Sequence, residues 1–356
     1  MLYYGYRSHP KGETTMRRIE TIHAVGHVLC HDLTRIVPGE LKDAQFRKGH
    51  VVTEADIPML LSMGKDHLYV WEVDENTLHE NEAADRLCAL CQSEHMRRGA
   101  VKEGKLELFA TEDGVFIVDV PRLDALNALE DVMVATRHTN TPVRDGDKLC
   151  GTRVIPLVID KRRIEEAESL VGTEPLLKLV PFRKGLKAGI VATGSEIFHK
   201  RIEDRFTPVV ERKLNAFGVT VTEKRVSDDK TETIVEAIRQ VRAAGVDIVL
   251  CTGGMSVDPD DRTPAAIRDS GANIITYGAP ILPGAMFLLG YYDDGVPVMG
   301  LPGCVMYAKT SVFDIFLPRI VAGIRLQRSD ITRLGNGGLC LQCKTCTYPN
   351  CGYGKE

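Results

Sequence analysis

The sequence predicts an α/β protein: a three-layer α/β/α domain with a mostly parallel sheet, preceded by a smaller β-rich N-terminal module and an α/β middle segment. Three observations carry this. From residue 186 onward, short apolar runs alternate with helix-length amphipathic stretches, as in βα units that feed a parallel sheet. The apolar runs are nearly continuous, which suits strands buried on both faces. Each run ends in a polar loop: Gly194-Ser195-Glu196, Asp228-Asp229, Gly253-Gly254 and Pro302-Gly303. Loops that follow parallel strands gather on one edge, and that edge is where open α/β sheets bind ligands.

The totals agree. A chain of 356 residues allows two or three domains, and 44% hydrophobic content suits real cores. A net charge of −4 gives no argument for nucleic acid or an acidic membrane surface. No apolar run approaches a membrane span. Residues 1–15 lack the apolar core of a signal peptide, so a cytoplasmic protein is expected, with 1–16 a disordered lead or a start upstream of the true one at Met16. Of ten cysteines, Cys340, Cys343, Cys346 and Cys351 crowd near the end, and in a reducing compartment such clustering favours a metal over disulfides.

In chain order, residues 17–75 read as the β-rich module. A strand at 50–52 leads to Thr53, an N-cap with Asp56 three residues on; the helix stops at Gly64, and 67–71 is a second strand. Residues 76–182 form the middle segment. Residues 77–102 read as helical, and Cys88, Cys91 and His95 make either a metal face or a half-buried helix face. A hairpin is expected at 106–120 through Asp113-Gly114, then a helix and strand at 121–137 and a charged helix at 162–170.

The α/β domain spans 183–325. Strands are expected at 186–193, 219–226, 246–250 and 296–299, with helices at 205–217, 231–244, 265–270 and 304–321; Gly218 and Gly245 close two of the helices. The loop at 251–264 is the richest site. Gly253 and Gly254 let a backbone approach an anion, Thr252, Ser256 and Thr263 offer hydroxyls, and Asp258, Asp260 and Asp261 offer carboxylates. Glycines, hydroxyls and acids together suit a phosphorylated ligand that brings a divalent metal, although a glycine pair also makes a plain tight turn. Residues 335–356 read as a separate cysteine-rich metal-binding tail on a flexible glycine lead, with thiolates enough for Zn²⁺ and a spacing also similar to iron–sulfur loops.

From about Lys187 to Gly323 the chain resembles the molybdopterin-binding domain of molybdenum-cofactor biosynthesis proteins, the MoeA/MogA-like group. The marks are Thr193-Gly194-x-Glu196, Arg225-Val226-x-Asp228-Asp229, Thr252-Gly253-Gly254-x-Ser256, Pro283-Gly284 and Gly300-Leu301-Pro302-Gly303. Asp261-x-Thr263-Pro264 resembles a pattern of MogA-like and CinA-like members, and residues 46–70 resemble a MoeA-like stretch. Four features depart: Cys304 replaces the usual Asn, Ala285-Met286 replaces the lysine after Pro283-Gly284, the acidic N-terminal molybdate-insertion motif has no counterpart, and the cysteine tail stands in place of the usual C-terminal β-domain.

The resemblance implies a molybdopterin or molybdenum-cofactor ligand, with Mg²⁺ and an ATP or AMP moiety in some members. It places Gly253, Gly254 and Ser256 on the phosphate, Asp228 and Asp261 on Mg²⁺, and Glu196 at the crevice edge with a catalytic role alongside those two acids. Thr193, Gly194, Ser195, Thr252, Met255, Pro283, Gly284, Leu301, Pro302, Gly303 and Cys304 complete the expected ligand wall. Asp228-Asp229 also reads as a solvated turn. Cys304, at a helix start that lowers thiol pKa, reads as a molybdenum ligand, a sulfur carrier or a small buried residue. The expected function is cofactor biosynthesis, by adenylyl-molybdopterin handling or molybdate insertion; the alternatives are a non-catalytic carrier to a client molybdoenzyme and a CinA-like nucleotide pyrophosphatase. Other cofactor-assembly proteins and further copies of the chain are the expected partners.

Overall fold

The structure is a computed structural model that describes residues 16–37, 41–71, 76–102, 104–258 and 261–355. The expectations for 1–15 and for Asp260 fall outside these residues. The chain divides into two compact units, each interrupted in sequence. One runs to residue 109 and adds 119–136 and 148–177; the other takes 110–118, 137–147 and everything from 178.

In the first unit, Met16–Glu20 pairs antiparallel with His67–Trp71, and Leu33–Val37 with Leu41–Phe46. Val51 makes only an isolated bridge to Val28, so the strand expected at 50–52 is not formed. Thr53 and Asp56 do form a reciprocal capping box, which starts a short 3-10 turn and then the Ile57–Ser62 helix. The stretch read as one helix over 77–102 is three elements: strand Thr77–His79, helix Glu80–Cys91 and strand Met96–Arg98. His79 sets the break, because its Nδ1 accepts the Asn81 N–H and caps the helix. Cys88 and Cys91 are fully buried on that helix's inner face, so the core reading holds there. Burial pushes the Cys88 thiol up to about 12, while a thiol contact with Cys150 raises Cys91.

The hairpin expected at 106–120 does not exist. Lys105–Ala110 pairs with Lys148–Val154, whereas Gly114–Val118 joins a three-stranded sheet with Thr141–Val143 and Leu177–Pro181. Long-range partners override the local Asp-Gly signal: the Asp113 carboxylate accepts the Asp145 N–H at 2.9 Å, and its carbonyl accepts the Phe182 N–H.

The second unit is built on a six-stranded sheet. Its elements are β1 (Lys187–Thr193), α1 (Ser195–Phe198), α2 (Thr207–Asn215), β2 (Thr220–Ser227), α3 (Thr231–Ala243), β3 (Ile248–Thr252), α4 (Thr263–Asp269), β4 (Asn273–Tyr277), β5 (Leu288–Tyr291), β6 (Pro297–Leu301) and α5 (Val312–Val321). The order across the sheet is β2-β1-β3-β6-β5-β4, with β5 alone reversed. Successive side chains of each strand point to opposite faces. Ile190, Leu250 and Met299 pack with α2 and α5 on one face. Val191, Val249, Cys251 and Val298 pack with α3 and α4 on the other. This is the three-layer arrangement, and the double burial explains the unbroken apolar runs.

Residues 304–321 are not one helix. A 3-10 turn covers Gly303–Met306, and α5 starts afresh at Val312 behind a second capping box, where Ser311 N–H donates to Asp314 at 2.7 Å. Lys213 on α2 donates to both oxygens of the same carboxylate, at 2.5 and 2.6 Å. Phe287 stacks on Phe316 with centroids 5.4 Å apart beneath this junction.

The tail is not separate, and its glycine lead is not loose. Leu282 N–H donates to Gly338 and Cys340 N–H to Leu282, both at 2.8 Å. A Cβ on Gly338 would stand 2.4 Å from the carbonyl oxygens of Leu334 and Pro280, so only glycine fits. Tyr348 and Tyr353 then donate their hydroxyls to the carbonyls of Asp314 and Pro283.

Candidate functional site at the carboxyl edge of the sheet

Four loops leave the carboxyl ends of neighbouring strands. Thr193 is level with Ser227, Ala192 with Thr252, and Thr252 with Leu301. The chain leaves β1 for β2 on one side and returns to β3 on the other. The topological switch point, where such sheets open a crevice, therefore lies between β1 and β3. The expected convergence of Gly194-Ser195-Glu196, Asp228-Asp229, Gly253-Gly254 and Pro302-Gly303 is a property of this topology.

The glycine pair closes that switch point. Gly253 and Gly254 have φ of +84° and +55°, which disfavours side chains. A Cβ on Gly253 would lie 2.1 Å from the Thr193 carbonyl oxygen, and one on Gly254 would lie 2.7 Å from the Thr263 hydroxyl. Beneath them the buried Thr193 hydroxyl donates to the Thr252 carbonyl at 3.1 Å and sits 2.9 Å from the Thr263 hydroxyl. The carbonyl can only accept, so Thr263 is the donor to Thr193. This pair ties the start of α4 to the end of β1. Above it, the backbone N–H groups of Gly254, Met255 and Ser256 find no acceptor among the described residues. Successive amides of this kind can bind an anion.

Other expected residues take distinct places. Met255 and Leu301 point into the core, and a Cβ on Gly300 would stand 2.5 Å from the Met255 methyl. Ser256 and Glu196 are exposed at the edge, and Pro302 is buried beside exposed Gly303. Ser195 N–H donates to Asp229 at 2.8 Å, and Gly194 N–H to the Ser227 carbonyl, which locks the first two loops together. Pro283-Gly284 packs on the start of α5: a Cβ on Gly284 would lie 2.4 Å from Val312 Cβ. Tyr277, which sequence reasoning missed, donates its hydroxyl to the carbonyls of Met255 at 3.1 Å and Ser256 at 3.2 Å. It lies on β4, an edge strand that carries no motif.

The two acids are each engaged within their own loops. Asp228 accepts the Thr233 hydroxyl and the Lys230 N–H inside its own turn, and the hydroxyl foremost holds its carboxyl below the usual range. Asp261 accepts the Asp258 N–H at 3.2 Å within its own loop. The two follow β2 and β3, with β1 between them. At Cys304 the surroundings bear against the activated-thiol reading and favour the buried one. Cys304 is half-buried, and burial raises its thiol above the ordinary value, the opposite of helix-terminus activation.

Cys340, Cys343, Cys346 and Cys351 are free thiols that line one cavity of about 550 Å³. Among the described residues, no group of three or more His, Cys, Asp or Glu side chains is gathered closely enough to hold a single metal ion. Nor is any described helix long and apolar enough to cross a membrane.

Residues 189–322 match the family model described as a probable molybdopterin binding domain. Residues 18–72 match a domain of unknown function, DUF8806. A CinA-like protein of Mycobacterium sp. (strain MCS) is 33% identical over 81 residues, 23% of this chain and 19% of the relative. The chain thus spans about a fifth of the length of the curated relatives it matches. Among solved structures, the molybdopterin biosynthesis Mog protein of Mycobacterium ulcerans is 17% identical over 40% of this chain and all of its own (100%), with a TM-score of 0.33. The molybdopterin biosynthesis MoeA protein of Pyrococcus horikosii is 16% identical over 69% of this chain and 80% of its own, also at 0.33.

Proposed function

We infer that the carboxyl edge of the six-stranded sheet binds a phosphorylated pterin of the molybdopterin class, and that the chain acts in molybdenum-cofactor assembly. The observation that carries this reading is the row of unengaged N–H groups from Gly254 to Ser256, held over the β1–β3 switch point by two glycines with no room for a side chain. The amides and the Ser256 hydroxyl receive the phosphate, and Glu196, Gly303 and Cys304 border the rest of the ligand. The match of 189–322 to its family supports the pterin as the class of ligand.

A second reading, a carrier that holds finished cofactor for a client enzyme, is favoured by one observation. Asp228 and Asp261 are each engaged by their own turns, so a Mg²⁺–nucleotide reaction has no assembled acid pair. The test is anaerobic purification from a molybdate-fed host, with pterin and molybdenum measured on the same sample. One pterin per chain supports the binding reading. No pterin, either as isolated or after incubation with molybdopterin, refutes it. Turnover of molybdopterin with MgATP that is lost in Asp228→Ala selects assembly over carriage. Nucleotide-sugar hydrolysis without pterin binding would assign a pyrophosphatase instead.

A further inference from the structure

We propose that Cys340, Cys343, Cys346 and Cys351 ligate an iron–sulfur cluster of the [4Fe–4S] class rather than a zinc ion. The spacing alone leaves both open. The placement of the sulfurs separates them. A Cys₄ zinc site draws four sulfurs to about 2.3 Å from one point and encloses no empty space. Here all four cysteines face one cavity of about 550 Å³, yet no three of them stand close enough to share an ion. A cubane cluster asks for that arrangement, because each thiolate binds a different iron at a different corner.

The surroundings fit as well. The cavity lining is mostly apolar, with Cys343 and Cys346 on its solvent-exposed side. The loop that carries the ligands is fixed at both ends. Cys340 N–H donates to Leu282 at the first ligand, and the Tyr353 hydroxyl donates to Pro283 after the last. Cys346 Sγ lies 3.2 Å from the Thr310 hydroxyl, a hydrogen bond of the type that tunes cluster potential. Lys309 reaches across to the Lys344 carbonyl at 2.7 Å, which brings cationic charge to the cavity rim.

The binding step is a ligand exchange. Each cysteine thiol forms one Fe–S bond as the bond from that iron to an external small thiolate breaks, and the departing thiolate takes the proton, so four external thiols leave and no electron is transferred. A 2+ cluster with four thiolates carries a net charge of 2−, which Lys309 partly offsets.

The full chain, purified anaerobically and then reconstituted with ferrous and ferric iron in equal amounts, sulfide and a small thiol, tests this. The expected result is about four irons and four acid-labile sulfides per chain, a broad visible absorbance, and a paramagnetic signal after dithionite. Cys343→Ser and Cys346→Ser alter exposed positions; both should lose most of the iron and sulfide while circular dichroism stays unchanged. Cys304→Ser, outside the cavity lining, should keep both. Stoichiometric zinc that resists replacement, iron without sulfide, or neither metal after reconstitution would each overturn the proposal.

Discussion

Met255 occupies the space that Gly300 leaves open: a Cβ at Gly300 would stand 2.5 Å from its methyl and 2.6 Å from its sulfur. The two residues come from different strand ends, so the floor of the glycine loop is fixed by β6. Gly300→Ala should push Met255 outward at a cost of about 1–3 kcal/mol and weaken pterin binding. Met255→Ala alone should cost about 2–5 kcal/mol. In the double variant the clash is gone, and denaturant melts should show it to be more stable than the sum of the single effects.

Two glycines with similar backbone angles should respond differently to alanine. Gly245 has φ of +74° with nothing within 4 Å, so Gly245→Ala should cost about 1–2 kcal/mol, the left-handed strain alone. Gly253 has φ of +84° and faces the Thr193 carbonyl, which cannot step aside. Gly253→Ala should cost more than about 3 kcal/mol. Equal melting temperatures for the two variants would contradict the close approach between β1 and β3.

Tyr292 gives the alkaline limb a defined shape. Burial, foremost, pushes its hydroxyl from 10.0 up to about 12, with the Ser270 hydroxyl 2.8 Å away. A folded value above the unfolded one means the neutral form stabilises the fold. That contribution is whole below pH 10 and is lost as pH rises through about 12. Tyr292→Phe should flatten the fall in stability over this window, as chemical melts at pH 9 to 12 would record.

Asp314 serves two partners at once. It caps α5 through Ser311 and pairs with Lys213 on α2, both side chains being largely buried. Lys213→Met removes the pair but leaves the cap, and should cost about 1 kcal/mol less than Asp314→Ala, which removes both. Equal costs would mean that the cap contributes nothing.

The sheet domain was legible because its signals are local and repeated. Apolar runs gave β1, β3 and β6, β2 was read between Gly218 and Asp228 despite its charged, half-exposed positions, and Gly218 and Gly245 indeed stand past helix ends with φ of +71° and +74°. The antiparallel edge went unread: β4 and β5 end in no motif, so Tyr277 was invisible as a loop-holding residue. The break after Cys304 had a signal that was not used, Ser311 three residues ahead of Asp314. The hairpin over 106–120 failed for a different reason. Asp113-Gly114 is a good turn by local rules, but the partners of its flanking strands lie tens of residues away. At the candidate site, residue types pointed to a glycine-lined edge. They did not show that Asp228 and Asp261 are engaged by their own turns, because hydrogen-bond partners are set only when the chain folds.

The second unit takes in residues 110–118 and 137–147 as well as the stretch from 178. A gene fragment trimmed to the family match at 189–322 would therefore discard all three strands of a sheet. One trimmed at 177 would keep Leu177–Pro181 but strip its partner Gly114–Val118, and would expose a bare edge of the kind that recruits other chains. What a sequence comparison delimits as a portable module is, in this protein, unable to leave its host intact.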